Sequence, residues 1–375
     1  MLRKTLFWIH LGAGLLTALP LAAMALTGIL LSFESQIVEV ATRESRQVLS
    51  PQGTRLPLDT LVARSAGERA DKVTAVVFQA DPLRTVEVRM GKEATLRVDP
   101  WSGETKAQGA AIEAAFGWVE RIHRWFGSRE IGGMITGVSV LLCLVLTCTG
   151  LVLWWPRKLA GLRNVVWPKR GLRAKARDWQ WHNAVGILAL PLLVVIALTG
   201  TVMSWKWAEG VLYAAAGAEA PRRAQAKPIG KEGAMKDREA KGIHIPDKNW
   251  QGWMDTALAH APQGWTSAWI SAPQKPGLGA SVNFRTNVEP VPSGGTAVLT
   301  PLGGFEAWKP ARIDFGTRLR FMVKPLHTGE LFGWVGQLAM ALASVATLLL
   351  AWTGVAMSWR RFFKRSRSDF ARDIS

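Results

Sequence analysis

Four long apolar segments dominate this sequence and determine what the chain can fold into. They run approximately from Leu6 to Phe33, from Ile131 to Trp155, from Asn183 to Trp205 and from Leu331 to Trp359. Each is long enough to cross a hydrocarbon core of about 30 Å as a helix that rises about 1.5 Å per residue. The sequence therefore predicts an α-helical membrane protein with four transmembrane helices.

The charge distribution predicts how these helices are oriented. The formal net charge of +18 is typical of some nucleic-acid-binding proteins, but most of the excess basic residues lie in a loop at 156–180 and in the tail at 360–375. Basic residues flanking membrane spans mark the cytoplasmic side. We therefore expect both termini and this loop to be cytoplasmic, the bilayer to be the partner of the chain, and nucleic acid not to be one.

The chain also contains an internal repeat. His10 precedes Thr27-Gly28 by 17 residues, and His182 precedes Thr199-Gly200 by the same number. The other two spans repeat a gap of 26, from His123 to Thr149-Gly150 and from His327 to Thr353-Gly354. Matching offsets in two independent pairs indicate a tandem duplication, with a pseudo-twofold axis along the membrane normal.

Each half reads as span, outer domain, span. Both outer segments alternate a short helix with strand-like runs, which predicts two small extracytoplasmic α+β domains. The predicted organisation is transmembrane helix 1 (1–33), outer domain 1 (34–120), transmembrane helix 2 with an outer extension (121–155), basic cytoplasmic loop (156–180), transmembrane helix 3 (181–207), outer domain 2 (208–326) with a flexible linker at 221–242, transmembrane helix 4 with an outer extension (327–359), and basic cytoplasmic tail (360–375).

Four of the six histidines occupy repeat-equivalent positions at span ends. An imidazole beside a bilayer is costly and is usually functional, and histidine is a common axial ligand of haem iron. A haem needs two axial ligands on opposite sides of its plane, which a twofold-related pair supplies. The sequence therefore predicts two haem sites, His10 with His182 at the cytoplasmic side and His123 with His327 at the outer side, with isolated hydrogen-bonding roles as the alternative.

Glycines and cations near these histidines have two interpretations each. The glycines provide room for a flat macrocycle or allow close helix packing. The cations pair with haem propionates or anchor the chain at the membrane surface. The glycines are Gly14, Gly186, Gly132, Gly133, Gly137, Gly333 and Gly336, and the cations are Arg3, Lys4, Arg177, Arg121, Arg124 and Lys324.

The Thr-Gly span motifs, the histidines at the span starts and the sequence Val98-Asp99-Pro100-Trp101-Ser102-Gly103-Glu104 resemble the PepSY-associated transmembrane helix family over nearly the whole chain. The resemblance implies PepSY-like outer domains and about two b-type haems per chain, with His10, His123, His182 and His327 as the axial ligands. The second outer domain departs from the pattern, because it has Thr300-Pro301-Leu302-Gly303-Gly304 in place of the Asp-Pro turn.

The resemblance further implies an oxidoreductase of the bacterial inner membrane that delivers electrons to ferric siderophores in the periplasm, as FoxB-like ferric-siderophore reductases do. No flavin or nicotinamide fingerprint is visible, so we expect a cytoplasmic or quinol electron donor. Two alternatives stay open. One is a haem-bearing membrane subunit for a separate flavoprotein or reductase, and the other is a non-enzymatic PepSY sensing or binding protein.

Overall fold

The computed structural model describes residues 1–48, 51, 53–90, 94–155, 171–220, 249–273, 279–286, 293–311 and 313–363. The predicted linker at 221–242, most of the basic loop and most of the tail lie outside these residues. The chain forms two compact units. Unit 1 comprises Met1–Ser35, Ala114–Ala220 and Phe315–Ser375, and unit 2 comprises Gln36–Glu113 and Pro221–Asp314.

Unit 1 is built on four helices that are long and apolar enough to cross a membrane. These are α1 (Leu2–Leu31), α5 (Ile131–Trp154), α6 (Ala174–Ser204) and α10 (Gly333–Phe363). The four predicted spans are thus confirmed as helices, although α6 begins inside the segment predicted as a cytoplasmic loop.

The four helices form a bundle with an apolar outer surface. Helix α1 packs mainly against α5 and α10, and α6 packs against the same two helices. The order around the bundle is therefore α1, α5, α6, α10, with α1 diagonally opposite α6. Leucines point outward, with Leu19 at 81% and Leu188 at 67% exposure. Such exposed apolar side chains favour lipid contact.

Two shorter helices precede α5 and α10. They are α4 (Ala110–Trp125) and α9 (Phe315–Thr328). The backbone turns after each one, where Gly127 has a φ of 85° and Gly329 a φ of 83°. Side chains other than glycine rarely adopt this left-handed conformation, so both corners depend on glycine.

Glycines also allow these corners to close tightly. A Cβ atom at Gly132 would collide with the backbone carbonyl of Trp125, and one at Gly336 would collide with the carbonyl of Gly329. These glycines therefore serve backbone packing rather than space for a macrocycle. As a result, His123 and His327 lie on α4 and α9, not on the spans that follow.

Unit 2 contains one eight-stranded antiparallel sheet with the order β4-β3-β2-β1-β5-β6-β7-β8. At its centre β1 pairs with β5, so that Val77 lies opposite Trp269. The strands are β1 (Ala75–Gln79), β2 (Val86–Met90), β3 (Ala94–Val98), β4 (Thr105–Lys106), β5 (Trp265–Ser271), β6 (Ser281–Thr286), β7 (Ser293–Leu299) and β8 (Phe305–Pro310).

This sheet corrects the expectation of two separate outer domains. The first four strands come from the first outer segment and the last four from the second, and the β1–β5 pair joins them. A four-stranded meander leaves an edge strand with unpaired backbone groups. Pairing the two edge strands satisfies both, so the two segments share one sheet and one core.

The core lies between the sheet and two short helices, α3 (Leu58–Ala66) and α8 (Trp250–Leu258). Phe78, Ile270 and Trp250 are each at most 2% exposed. Fully burying a side chain such as Phe or Ile contributes about 1.5–3 kcal/mol. The remaining described helices are α2 (Glu34–Arg46), α7 (Lys206–Ala215) and two short 3₁₀ helices (Gly67–Lys72 and Glu330–Phe332).

The two short helices bind each other's N-termini. The Asp59 carboxylate of α3 accepts hydrogen bonds from the backbone N–H groups of Trp250 (2.8 Å) and Gln251 (3.0 Å) of α8. In return, the Gln251 side-chain oxygen accepts from the N–H of Leu58 at 2.9 Å. Each helix thereby satisfies backbone donors that its partner's first turn leaves free.

This reciprocal contact predicts a stability effect. Asp59→Ala removes the acceptor for two N–H groups of α8, and loss of such a cap costs about 0.5–2 kcal/mol. We expect a lower thermal midpoint, measured by tryptophan fluorescence since Trp250 and Trp253 lie in this core. The control is Glu104→Ala, an equal charge change at an exposed position. Equal midpoints for the two variants would contradict the role of Asp59.

Candidate functional site

The four repeat-equivalent histidines meet as two pairs in unit 1. The ring centroids of His10 and His182 are 6.3 Å apart with an angle of 85° between the ring planes. Those of His123 and His327 are 6.4 Å apart at 70°. The structure thus brings together the same two pairs that the sequence predicts, and each pair takes one histidine from each half of the chain.

A threonine hydroxyl lies against each imidazole. The four Nδ1 to Oγ1 distances are 2.9 Å for His10 and Thr149, 2.9 Å for His123 and Thr27, 2.9 Å for His182 and Thr353, and 2.8 Å for His327 and Thr199. In every case the threonine belongs to the same half of the chain as its histidine. These are the threonines of the Thr-Gly motifs. Sequence reasoning used them as repeat markers and missed their contact with the histidines.

The threonines determine which ring nitrogen carries the proton. A threonine hydroxyl has one proton to donate. Thr149 donates it to the carbonyl of Val145 at 2.6 Å, and Thr199 donates to the carbonyl of Val195 at 2.6 Å. Thr27 and Thr353 bond the carbonyl four residues earlier in the same way, both at 2.7 Å. Each hydroxyl oxygen must therefore accept from Nδ1–H, which leaves the Nε2 lone pair available to a metal.

The glycine after each threonine lies against the imidazole ring. A Cβ atom at Gly150 would lie 3.3 Å from Cε1 of His10, which is closer than ordinary van der Waals contact, so this glycine makes room for the ring. At Gly200 and Gly354 a Cβ atom would make ordinary contact, 3.5 Å from Cε1 of His327 and 3.6 Å from Cε1 of His182. The threonine of each motif therefore binds the imidazole, and the glycine borders it.

Electrostatics keep the outer pair neutral. Burial lowers the pKa of His123. Burial, together with the charge of neighbouring His123, lowers the pKa of His327 to about 4. Both groups lie outside the four spans and are unprotonated at neutral pH, as metal ligation requires.

The pair geometry fits a metal with one imidazole on each side. With metal–nitrogen bonds of about 2 Å and ring nitrogens about 1 Å from the centroid, the two centroids are expected about 6 Å apart. Among the described residues, no group of three or more His, Cys, Asp or Glu side chains could hold a metal ion. The centroid distances of the two pairs, 6.3 Å and 6.4 Å, fit axial ligation of a haem iron.

The inner pair lines a cavity of about 1600 Å³. Gly14 and Gly186, each four residues after a histidine, also line it. A Cβ at either glycine would make only ordinary contact, 3.7 Å and 3.6 Å from the nearest leucine side chain. Gly137 instead packs against the Trp205 indole, so only the first two of the predicted glycines border this space.

Several predicted propionate partners are engaged elsewhere. Arg3 donates to the carbonyl of Trp155 at 2.7 Å, and Arg177 pairs with Asp178. Arg121 stacks on Trp118 at 4.0 Å. These contacts favour the anchoring interpretation for the three arginines.

The remaining predicted outer cations are also near carboxylates. Arg124 pairs with Glu120 at 2.8 Å. Burial and the nearby carboxylates of Glu120 and Glu330 raise the pKa of Glu34 despite the opposing charge of Lys324. Lys324 thus lies within an acidic surrounding.

The other two histidines are not part of the paired sites. His260 lies in unit 2, where its ring stacks on Phe305 at 3.7 Å and its Nδ1 contacts the Thr256 carbonyl at 3.1 Å. His244 lies outside the described residues.

A family model described as the PepSY-associated TM region matches residues 7–361, which include all four paired histidines. No curated protein matches the sequence.

The threonine contacts predict a measurable effect on ligand binding. Thr199→Val removes the acceptor for His327 Nδ1–H, and losing such a supporting hydrogen bond lowers metal affinity about 10–100-fold. We expect this loss of haem affinity at the outer pair only, measured by titrating haem into the purified protein. The control is Thr201→Val, because Thr201 is buried on the same helix but donates to the carbonyl of Ala197. Equal affinities in the two variants would contradict the assignment.

Proposed function

The chain belongs to the PepSY-associated TM family, and we propose that it is an inner-membrane di-haem b reductase that passes electrons across the bilayer to siderophore-bound ferric iron in the periplasm. The observation that carries this proposal is the pair of matched bis-histidine sites, each with a fixed Nε2 lone pair. When bound, haem b supplies one-electron redox chemistry.

The paired histidines indicate what the protein contributes to electron transfer. His10 with His182, and His123 with His327, would each hold a haem iron between two imidazoles. A site of this kind would suit electron transfer rather than ligand activation. The threonines of the Thr-Gly motifs hold the imidazole rings in place.

The two sites lie far apart along the bundle. His10 and Thr27 are separated by 17 residues of α1, which corresponds to about 26 Å of helix. Thr27 bonds His123 of the other pair. This distance approaches the hydrocarbon thickness of a bilayer, about 30 Å, so the two sites suit a path from one face to the other.

A pseudo-twofold repeat accounts for this arrangement. Each histidine pair takes one ligand from each half, and all four histidines bond a threonine of their own half. The strand order also runs outward from the central β1–β5 pair in the same sequence on both sides. We interpret the sheet as two PepSY-like modules that have joined edge to edge.

The proposed direction of electron transfer, from the cytoplasm to the periplasm, rests on the charge distribution and on iron chemistry. The basic loop and tail place His10 and His182 near the cytoplasm and the strand-bearing segments in the periplasm. The donor is then a cytoplasmic protein or a membrane quinol. Reduction aids iron release, because Fe(II) carries less charge and is held less tightly than Fe(III) by hard oxygen donors.

The proposal is tested first by cofactor content. The purified protein is expected to show a bis-imidazole b-type spectrum, with about two haems per chain by pyridine haemochrome assay. His10→Ala with His182→Ala removes one haem, and His123→Ala with His327→Ala removes the other. His260→Ala, a histidine outside both pairs, retains both. A colourless wild-type protein would overturn the proposal and favour a sensing or binding role.

Activity is tested in vesicles that carry the protein. With a reductant on the side of the basic loop and a ferric siderophore on the other, we expect Fe(II) to appear, detected with an Fe(II)-specific chelator. Either double histidine variant abolishes this flux. Haem reduction without Fe(II) formation would exclude the reductase role and favour a haem subunit that serves another protein.

A further inference from the structure

The cavity at the inner histidine pair has two chemically different regions. Its depth is lined mainly by apolar side chains, whereas one end carries four cations. The lining includes no Asp or Glu side chain among the described residues. The cations are Arg173, Lys175, Arg360 and Arg361.

Along the helix axes, these cations lie at a similar height, on the same side of the inner histidine pair. Gly354 lies against the His182 ring, and Arg361 follows it by seven residues on α10. Lys175 precedes His182 by seven residues on α6. Seven residues correspond to about 10 Å of helix, so both cations lie about two turns from the imidazoles, in the same direction.

Two of the cations remain available for a ligand. Arg360 donates to the buried carboxylate of Asp178 at 2.6 Å. Arg361 instead stacks over Phe7, with its guanidinium carbon 4.9 Å from the ring centroid. In the part of the chain that the structure describes, neither Arg361 nor Lys175 forms an ion pair with a carboxylate.

A third group faces this cavity from α5. Trp154 lines the cavity, and its indole N–H is buried without an acceptor among the described residues. A buried donor normally has a partner, because leaving it unpaired costs free energy. Trp154 follows Gly150 by four residues, and Gly150 lies against His10. The orphan donor is therefore about one turn from the other imidazole.

The apolar depth, the cationic end and the unpaired indole N–H together indicate which kind of ligand the cavity can bind. An apolar slot with an imidazole on each side admits a flat apolar molecule, and a cationic end with an unpaired N–H accepts carboxylates at one edge of it. The uncapped first turn of α6, whose residues Ala174 to Ala176 line the cavity, adds backbone N–H groups at the same end.

We propose that Trp154, Lys175 and Arg361 form an anion-binding mouth that holds the two propionate carboxylates of the inner haem. This proposal rests on the proposed function. These positioning residues fix the rotation of the macrocycle about the His10–His182 axis and direct its carboxylate edge toward the basic end of the bundle. The positive charges of Lys175 and Arg361 disfavour the ferric form and raise the reduction potential of this site.

The test is a redox titration of the variants Trp154→Phe, Lys175→Gln and Arg361→Gln. The titration is expected to show one reduction step for each haem, and the variants His10→Ala and His123→Ala identify which step belongs to the inner haem and which to the outer haem. We expect the inner step of Lys175→Gln and of Arg361→Gln to fall by about tenfold in the reduction equilibrium, or about 59 mV for one electron, while the outer step stays in place. Trp154→Phe removes a hydrogen-bond donor but no charge, so its inner step is expected to fall by less. The control is Lys309→Gln, an exposed lysine of β8 that does not line the cavity. Arg361→Lys and Lys175→Arg retain the charge and are expected to retain the potential.

A haem-free wild-type protein would contradict the proposed function itself. With both haems present, three outcomes would overturn the anion-binding mouth alone. The first is an inner step that coincides with that of Lys309→Gln, and the second is an equal shift of both steps. The third is a charge-retaining variant that behaves like its glutamine counterpart, because this would show that packing and not charge is responsible.

Discussion

The candidate site depends on a hydrogen bond within a helix. A threonine on a span donates its only hydroxyl proton to the carbonyl four residues earlier, as Thr149 does to Val145. The same oxygen then has only acceptor capacity left for the histidine opposite. The local helix therefore determines the tautomer of an imidazole on another helix, and Nε2 is left with a free lone pair. Because the hydroxyl is bound to the rigid backbone of its own helix, the imidazole gains a partner whose position is fixed before any ligand binds.

Glycine after threonine completes this contact at some cost to the helix. Glycine within a helix is less favourable than alanine by about 1 kcal/mol, yet Gly28, Gly150, Gly200 and Gly354 all lie inside or at the end of spans. In each case the ring Cε1 occupies the space next to the missing side chain. Inside a bilayer the backbone hydrogen bonds of a helix have no competing water, so the local cost of glycine is tolerated where close approach of an imidazole is required.

The sequence predicted local features well and long-range contacts less well. Each outer segment was predicted to combine a short helix with strand-like runs, and the structure has α3 with β1 to β4 in the first segment and α8 with β5 to β8 in the second. Both patterns arise from neighbouring residues. The β1–β5 pair joins segments from opposite halves, and nothing in either strand alone specifies which edge it meets. Likewise the histidine pairs were predictable from symmetry, but the Thr–His contacts required knowledge of which helices are adjacent in the bundle. The corners at Gly127 and Gly329, which move two of the histidines onto separate helices, were visible only as an excess of glycine.

Neither half of this chain completes either of its two structural units. Each half supplies one imidazole to each pair, so a single half would present two isolated ligands and could not hold a metal axially from both sides. Each half also supplies four strands with an open edge, which β1 and β5 close against each other. Contacts between the halves therefore complete the histidine pairs in unit 1, and a separate contact between the halves completes the hydrogen-bond ladder in unit 2. Two imidazoles can face each other in this chain only because each half contributes one of them, so the pairing of the halves in unit 1 is what creates each candidate site.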